Sequence, residues 1–150
     1  MSTYYYYFLL FLAFAAGSLM PVQGGINGQL ANTLGSTLAA ACISFLVGTI
    51  LLLIITFSIG QGNAFLSLGK LQWWHWVGGV FGAFFVTTMA FAGPKVGALL
   101  FMVLMLAGQL SSATVLDHFG WVGFHENPIS LNKIMGLACI LFGIFFIQRG

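Results

Sequence analysis

Residues Thr37–Ile59 read TLAAACISFLVGTILLLIITFSI, with no charged residue and almost no polar atom between Phe45 and Phe57. A transmembrane helix needs about 20 consecutive, predominantly apolar residues. This stretch meets that need, and no soluble domain would leave it so uniformly apolar. The rest of the chain fits the same solvent. Of its 150 residues, 60% are apolar and 4% are charged, whereas soluble domains carry about 25% charged residues.

Outward from that segment the pattern repeats. Spans are predicted at about 4–22, 37–59, 73–92, 96–116 and 131–148. The fold class is therefore an all-α integral membrane protein, a single domain of five transmembrane helices. Tyr4 to Tyr7 open the first span and Trp73, Trp74 and Trp76 the third, as aromatic belts do at the headgroup level. The hydrophobic N-terminus lacks the basic region of a secretory signal and is read as the first span. Between Pro21 and Gln29 the chain is glycine-rich, polar and uncharged. That segment is either a kinked continuation of the helix or a loop. Gly93-Pro94-Lys95 is the link expected between spans three and four.

The four basic residues divide evenly. Five spans put Lys70 and Lys133 on the side of the N-terminus, and Lys95 and Arg149 on the other. Orientation follows an excess of Lys and Arg in cytoplasmic loops, and here there is none. Such a chain is expected to insert both ways and to pair with its own inverted copy. Inverted repeats meeting at the midplane build many secondary transporters. Five helices cannot divide into equal halves, so a second half must come from another chain.

Composition excludes other classes. No clustered basic face exists, so nucleic acid is not an expected partner. No catalytic triad, phosphate loop or nucleophile motif is present, so the chain is not expected to be an enzyme. Three scattered histidines give no metal-site spacing, and no cofactor is expected. Cys42 and Cys139 fall inside spans and read as small packing residues.

The polar residues inside the spans are amides and hydroxyls. Gln23 and Asn27 share a helix face if the first span continues past Pro21. They then either bind a polar solute or tie helix ends together. Gln109 is the clearest polar residue of span four, with Ser112 on the same face; it either lines a substrate path or bridges helices. Phe45 and Trp76 are candidate apolar walls. Glycines stand four apart at Gly24/Gly28, Gly78/Gly82 and Gly93/Gly97, a spacing that lets backbones approach in lipid, and Gly78, Gly79 and Gly82 are the best candidate for a close helix crossing. No acid lies within a span, which argues against a carboxylate-coupled pump. Asp117-His118 sits at the edge of span four, either as a titrating vestibule or as a helix-end contact.

Several of these residues fall into one longer pattern. Gly17…Met20-Pro21-Val22-Gln23…Asn27…Leu30, then Ile43-Ser44-Phe45…Gly48-Thr49, then Trp76…Gly78-Gly79…Gly82 follow in order. Gly108-Gln109, Asp117-His118-Phe119-Gly120…Gly123 and Gly136 complete it. The pattern resembles the YdcZ-like branch of the drug/metabolite transporter (DMT) superfamily, over essentially the whole chain. The resemblance implies a five-helix protein of the bacterial inner membrane, working as an antiparallel dimer that equals the ten-helix fold of larger members. The related small multidrug resistance proteins couple protons through a glutamate in their first helix. The matching region here offers Gln23 and Asn27 instead.

The expected function is small-solute transport by alternating access in an inverted dimer, for a neutral or polar metabolite. The expected partners are a second copy of the chain or an oppositely oriented paralogue, the small-molecule substrate and membrane lipid. The rival readings are a non-transporting membrane subunit that stabilises or regulates a partner, and one half of a heterodimeric transporter.

Overall fold

A computed structural model describes residues 3–149. Five helices in it are long and apolar enough to cross a membrane. They are α1 (Thr3–Leu34), α2 (Thr37–Ser58), α3 (Val77–Val96), α4 (Ala98–Phe119) and α5 (Leu131–Arg149). The third span starts one turn before α3, in the 3-10 turn Trp73–Trp76.

Helix α1 differs most from expectation. It does not stop near Val22 but runs on through Pro21 to Leu34. Proline removes one helical N–H, yet such breaks are tolerated in membrane helices where neighbours satisfy the freed carbonyl. No charge interrupts residues 21–34, so nothing draws that stretch out into water. The continuation creates a buried face made of Gly24, Asn27, Gly28 and Ala31. At its end Gly35 takes a left-handed φ of 65°, and the Ser36 N–H donates to the Ala31 carbonyl at 3.1 Å. That closes a glycine cap on α1. Ser36 then caps α2, its hydroxyl oxygen accepting from the Ala39 N–H at 3.2 Å. Two residues thus turn the chain through a helical hairpin.

The chain divides into two compact units. In the first, which runs to Lys95, α1 and α2 pack along one another, and α3 meets α1 at two glycines. A Cβ on Gly24 would overlap Met89 Cε, and one on Gly28 would lie 2.8 Å from Pro94 Cγ. Gly82 approaches Phe45 of α2, whose Cζ would be 3.3 Å from a Cβ at that position. Nothing lies within 4 Å of a Cβ placed on Gly78 or Gly79. Of the three glycines expected at a close crossing, Gly82 alone makes a close approach, and α1 meets α3 at Gly24 and Gly28. Those glycines become available only because α1 continues beyond Pro21. Gly93, Pro94 and Lys95, expected as a link, are the last turn of α3, and Gly97 alone separates that helix from α4.

The second unit, from Val96, is the packed pair α4 and α5 with the loop that joins them. Gly120 ends α4 in a left-handed conformation, φ 61°. The loop folds back on that helix end. The Asn127 N–H donates to the Asp117 carbonyl at 2.7 Å, and the Ile129 N–H donates to His118 Nδ1 at 3.2 Å. Lys133 Nζ donates to the carbonyls of Asn127 at 2.7 Å and Pro128 at 3.1 Å. The Asp117 backbone carbonyl and the His118 ring thus hold the loop to the helix end, while Asp117 also lines an open groove with Lys133.

The described buried apolar residues are mainly small: Ala31, Ala40, Ala41, Ala90 and Ala107, with Val86, Met89 and Ile144. Among the described residues no large side chain is fully buried. Lipid tails are as apolar as leucine, so helices in a bilayer gain their contacts by close approach of small residues rather than by enclosing large ones.

Candidate functional site

Two of the expected lining residues, Gln23 and Phe45, come together in the first unit. An open groove of about 240 Å³ crosses its three helices. Helix α1 contributes Gln23, α3 contributes Val86, and α2 contributes Ser44, Phe45, Gly48, Thr49 and Leu52. The 22 residues of α2 rise about 33 Å at 1.5 Å each, close to the ~30 Å hydrocarbon thickness. Ser44 to Leu52 occupy the middle of that length, so the groove lies at mid-membrane depth.

Each lining group has a local reason to be there. Gln23 stands one residue before the Gly24–Met89 contact, so the crossing of α1 on α3 fixes its height. The Phe45 ring lies over Gly82, where a larger residue on α3 would push it away. Gly48 carries no side chain and leaves the space open between Phe45 and Leu52. The polar groups, one amide and two hydroxyls, are uncharged, while Phe45, Leu52 and Val86 supply the walls. Gln23 offers two donors and two acceptors, and Ser44 and Thr49 one donor each with acceptor lone pairs.

Other expected residues lie elsewhere. Asn27 is 4% exposed, on the face of α1 that meets α3, and does not line the groove. It is the buried polar side chain of the described residues. Trp76 is exposed at the head of the third span and does not wall the groove either. Gln109 and Ser112 are exposed on α4 in the second unit. Their neighbours Ser111 and Thr114 donate to the Ala107 and Leu110 carbonyls one turn back, the self-satisfied arrangement expected of helical hydroxyls.

Ser44, Thr49 and Val86 line the groove without being among the residues the sequence marks as candidate lining. For α2 the signal lies in the spacing, since Gly48 and Thr49 stand four and five residues after Ser44, on one side of a helix whose middle is otherwise apolar; nothing in the sequence marks Val86.

The family model described as "Putative inner membrane exporter, YdcZ" matches residues 8–146. This chain belongs to the YdcZ family. Among curated relatives it is similar to the "Inner membrane protein YdcZ" of Escherichia coli (strain K12), with 29% identity over 133 residues. That match covers 87% of this chain and 86% of the relative. No solved structure matches significantly. With five spanning-type helices, the chain is a multi-pass inner membrane protein of an exporter family.

Proposed function

We propose that this chain is one half of an exporter for a neutral, polar metabolite, acting by alternating access as an antiparallel dimer of ten helices. The observation that carries this reading is the groove of Gln23, Ser44 and Thr49, a set of neutral donors and acceptors at mid-membrane depth with no ionisable group. A charged solute there would have no counter-charge, and an unpaired charge in a low-dielectric site is strongly penalised. A neutral solute with hydroxyl or amide groups exchanges its water hydrogen bonds for those of the groove.

The groove is open, and five helices form one half of the transporter arrangement in which sites lie between inverted repeats. A second, inverted copy would close it. The even division of Lys70 and Lys133 against Lys95 and Arg149 supports self-pairing over pairing with a paralogue. In that dimer Gln109 and Ser112 of α4 would complete the lining, and Asn27 would hold α1 in register.

The test uses purified protein in proteoliposomes loaded with a panel of neutral polar metabolites, with efflux read by mass spectrometry. One or a few solutes should leave faster than from protein-free vesicles. Gln23→Ala and Thr49→Val should each slow that efflux about tenfold, the equivalent of one lost hydrogen bond. Efflux unchanged by both variants would remove the site, and no efflux of any solute would remove the function.

A further inference from the structure

A second groove in the first unit lies at the other end of its chemistry. It has a volume of about 360 Å³, and the side chains that matter in it are Asn32, Ser36, Thr37, Phe91, Pro94 and Lys95. We propose that it binds the phosphate group of an anionic phospholipid at the membrane surface. The proposal stands apart from solute export and from the groove of Gln23.

Lys95 is the centre of the argument. Its Nζ lies 3.3 Å from the centroid of the Phe91 ring, so the ammonium is held against a wall of the groove by a cation–π contact. The first acid in the sequence is Asp117, so the unit that ends at Lys95 contains no Asp or Glu to neutralise it. The remaining polar lining is neutral and able to donate: the Asn32 amide, the Thr37 hydroxyl and the Ser36 hydroxyl. The first turn of α2 opens on the same space. One fixed cation ringed by neutral donors from two elements suits a group with several oxygens and a full negative charge.

Depth identifies the source of that group. The groove is formed where α1 turns into α2 at Gly35-Ser36 and where α3 ends at Val96. Both are helix ends on the side opposite the N-terminus, where headgroups lie rather than hydrocarbon. Basic pockets at the ends of membrane helices take lipid headgroups in this way. Pro94 and Phe91 offer apolar surface beside the cation, as the glycerol and first methylenes of a lipid require.

The experiment is native mass spectrometry of the full-length protein from mixed micelles holding equal phosphatidylglycerol and phosphatidylcholine. The wild type should retain phosphatidylglycerol about fivefold over phosphatidylcholine, the effect of one lysine near an anionic headgroup. Lys95→Gln should abolish that preference, Lys95→Arg should keep it, and Lys70→Gln, which removes an equal charge elsewhere in the unit, should leave it intact. Asn32→Ala should lower it without touching the charge, which keeps the test alive should Lys95→Gln fail to fold. Inorganic phosphate titrated into the sample separates the two sources of the same chemistry. Displacement of the lipid by millimolar phosphate would assign the groove to the free anion, and resistance to it assigns the lipid. Equal retention of both lipids by the wild type, or equal loss of preference in Lys95→Gln and Lys70→Gln, would overturn the site.

Discussion

Gly28 of α1 faces Pro94 of α3 with no room for a side chain: a Cβ at Gly28 would lie 2.8 Å from Pro94 Cγ and 3.7 Å from the Ala90 carbonyl oxygen. The two residues explain each other. Pro94 has no N–H to offer the Ala90 carbonyl, and the bare backbone of α1 comes up against that turn of α3. One turn earlier Gly24 receives Met89 in the same manner.

The two glycines should respond differently to alanine. The pyrrolidine ring is rigid, so Gly28→Ala must push the helices apart, costing about 1–3 kcal/mol as overpacking does. The gain in helix propensity returns up to ~1 kcal/mol. Met89 can change rotamer, so Gly24→Ala should cost clearly less. Gly79→Ala, with open space around it, should be neutral or stabilising. Thermal unfolding in detergent gives the order, and Gly24→Ala ranking below Gly28→Ala in stability would contradict the geometry.

Orientation can be read directly. With both native cysteines replaced, since Cys42 and Cys139 are exposed, a single cysteine placed after Arg149 reports the side of the C-terminus. About half should react with an impermeant thiol reagent in right-side-out vesicles, as two basic residues on each side imply. Labelling of all or none would fix one orientation and replace the self-inverted dimer with an oppositely oriented partner.

The α4–α5 loop should loosen when its clasp is cut. Lys133→Met removes the donors to the Asn127 and Pro128 carbonyls, and His118→Ala removes the acceptor for the Ile129 N–H. Each bond contributes about 1 kcal/mol at a partly exposed position. Amide hydrogen exchange across residues 125–130 should therefore quicken about fivefold in either variant. Unchanged exchange would mean that the turn at Gly120 alone holds the loop.

Val122 offers a gain rather than a loss. It has a positive φ of 58°, a conformation that crowds a β-branched side chain, and its side chain is 85% exposed. Val122→Asn keeps that backbone at lower strain and should stabilise the protein by about 1 kcal/mol. A lower unfolding temperature for the variant would show that the valine side chain has a contact of its own.

What the sequence determined by itself was everything that the bilayer dictates. Hydrocarbon thickness and the need to satisfy every backbone group within a helix make Thr37–Ser58 a span whatever surrounds it, and the same reasoning gave the other four and the helix start at Thr37. It also gave the neutral character of the polar residues along the middle of the spans, because Asp117, which the structure takes into α4, lies only in the last turn of that helix. The tertiary structure decided which faces meet. Whether residues 21–34 were loop or helix turned on neighbours able to receive a proline-broken helix. That outcome let α1 meet α3 at Gly24 and Gly28, while Gly82 alone of the expected three makes a close approach. It also set Gln23 beside Ser44 and Thr49 while leaving Asn27 on the packed face and Trp76 outside. Hydropathy cannot carry that information. In lipid the energy difference between helix faces comes from how closely two backbones can approach, and a single chain of letters does not say which glycine finds a partner.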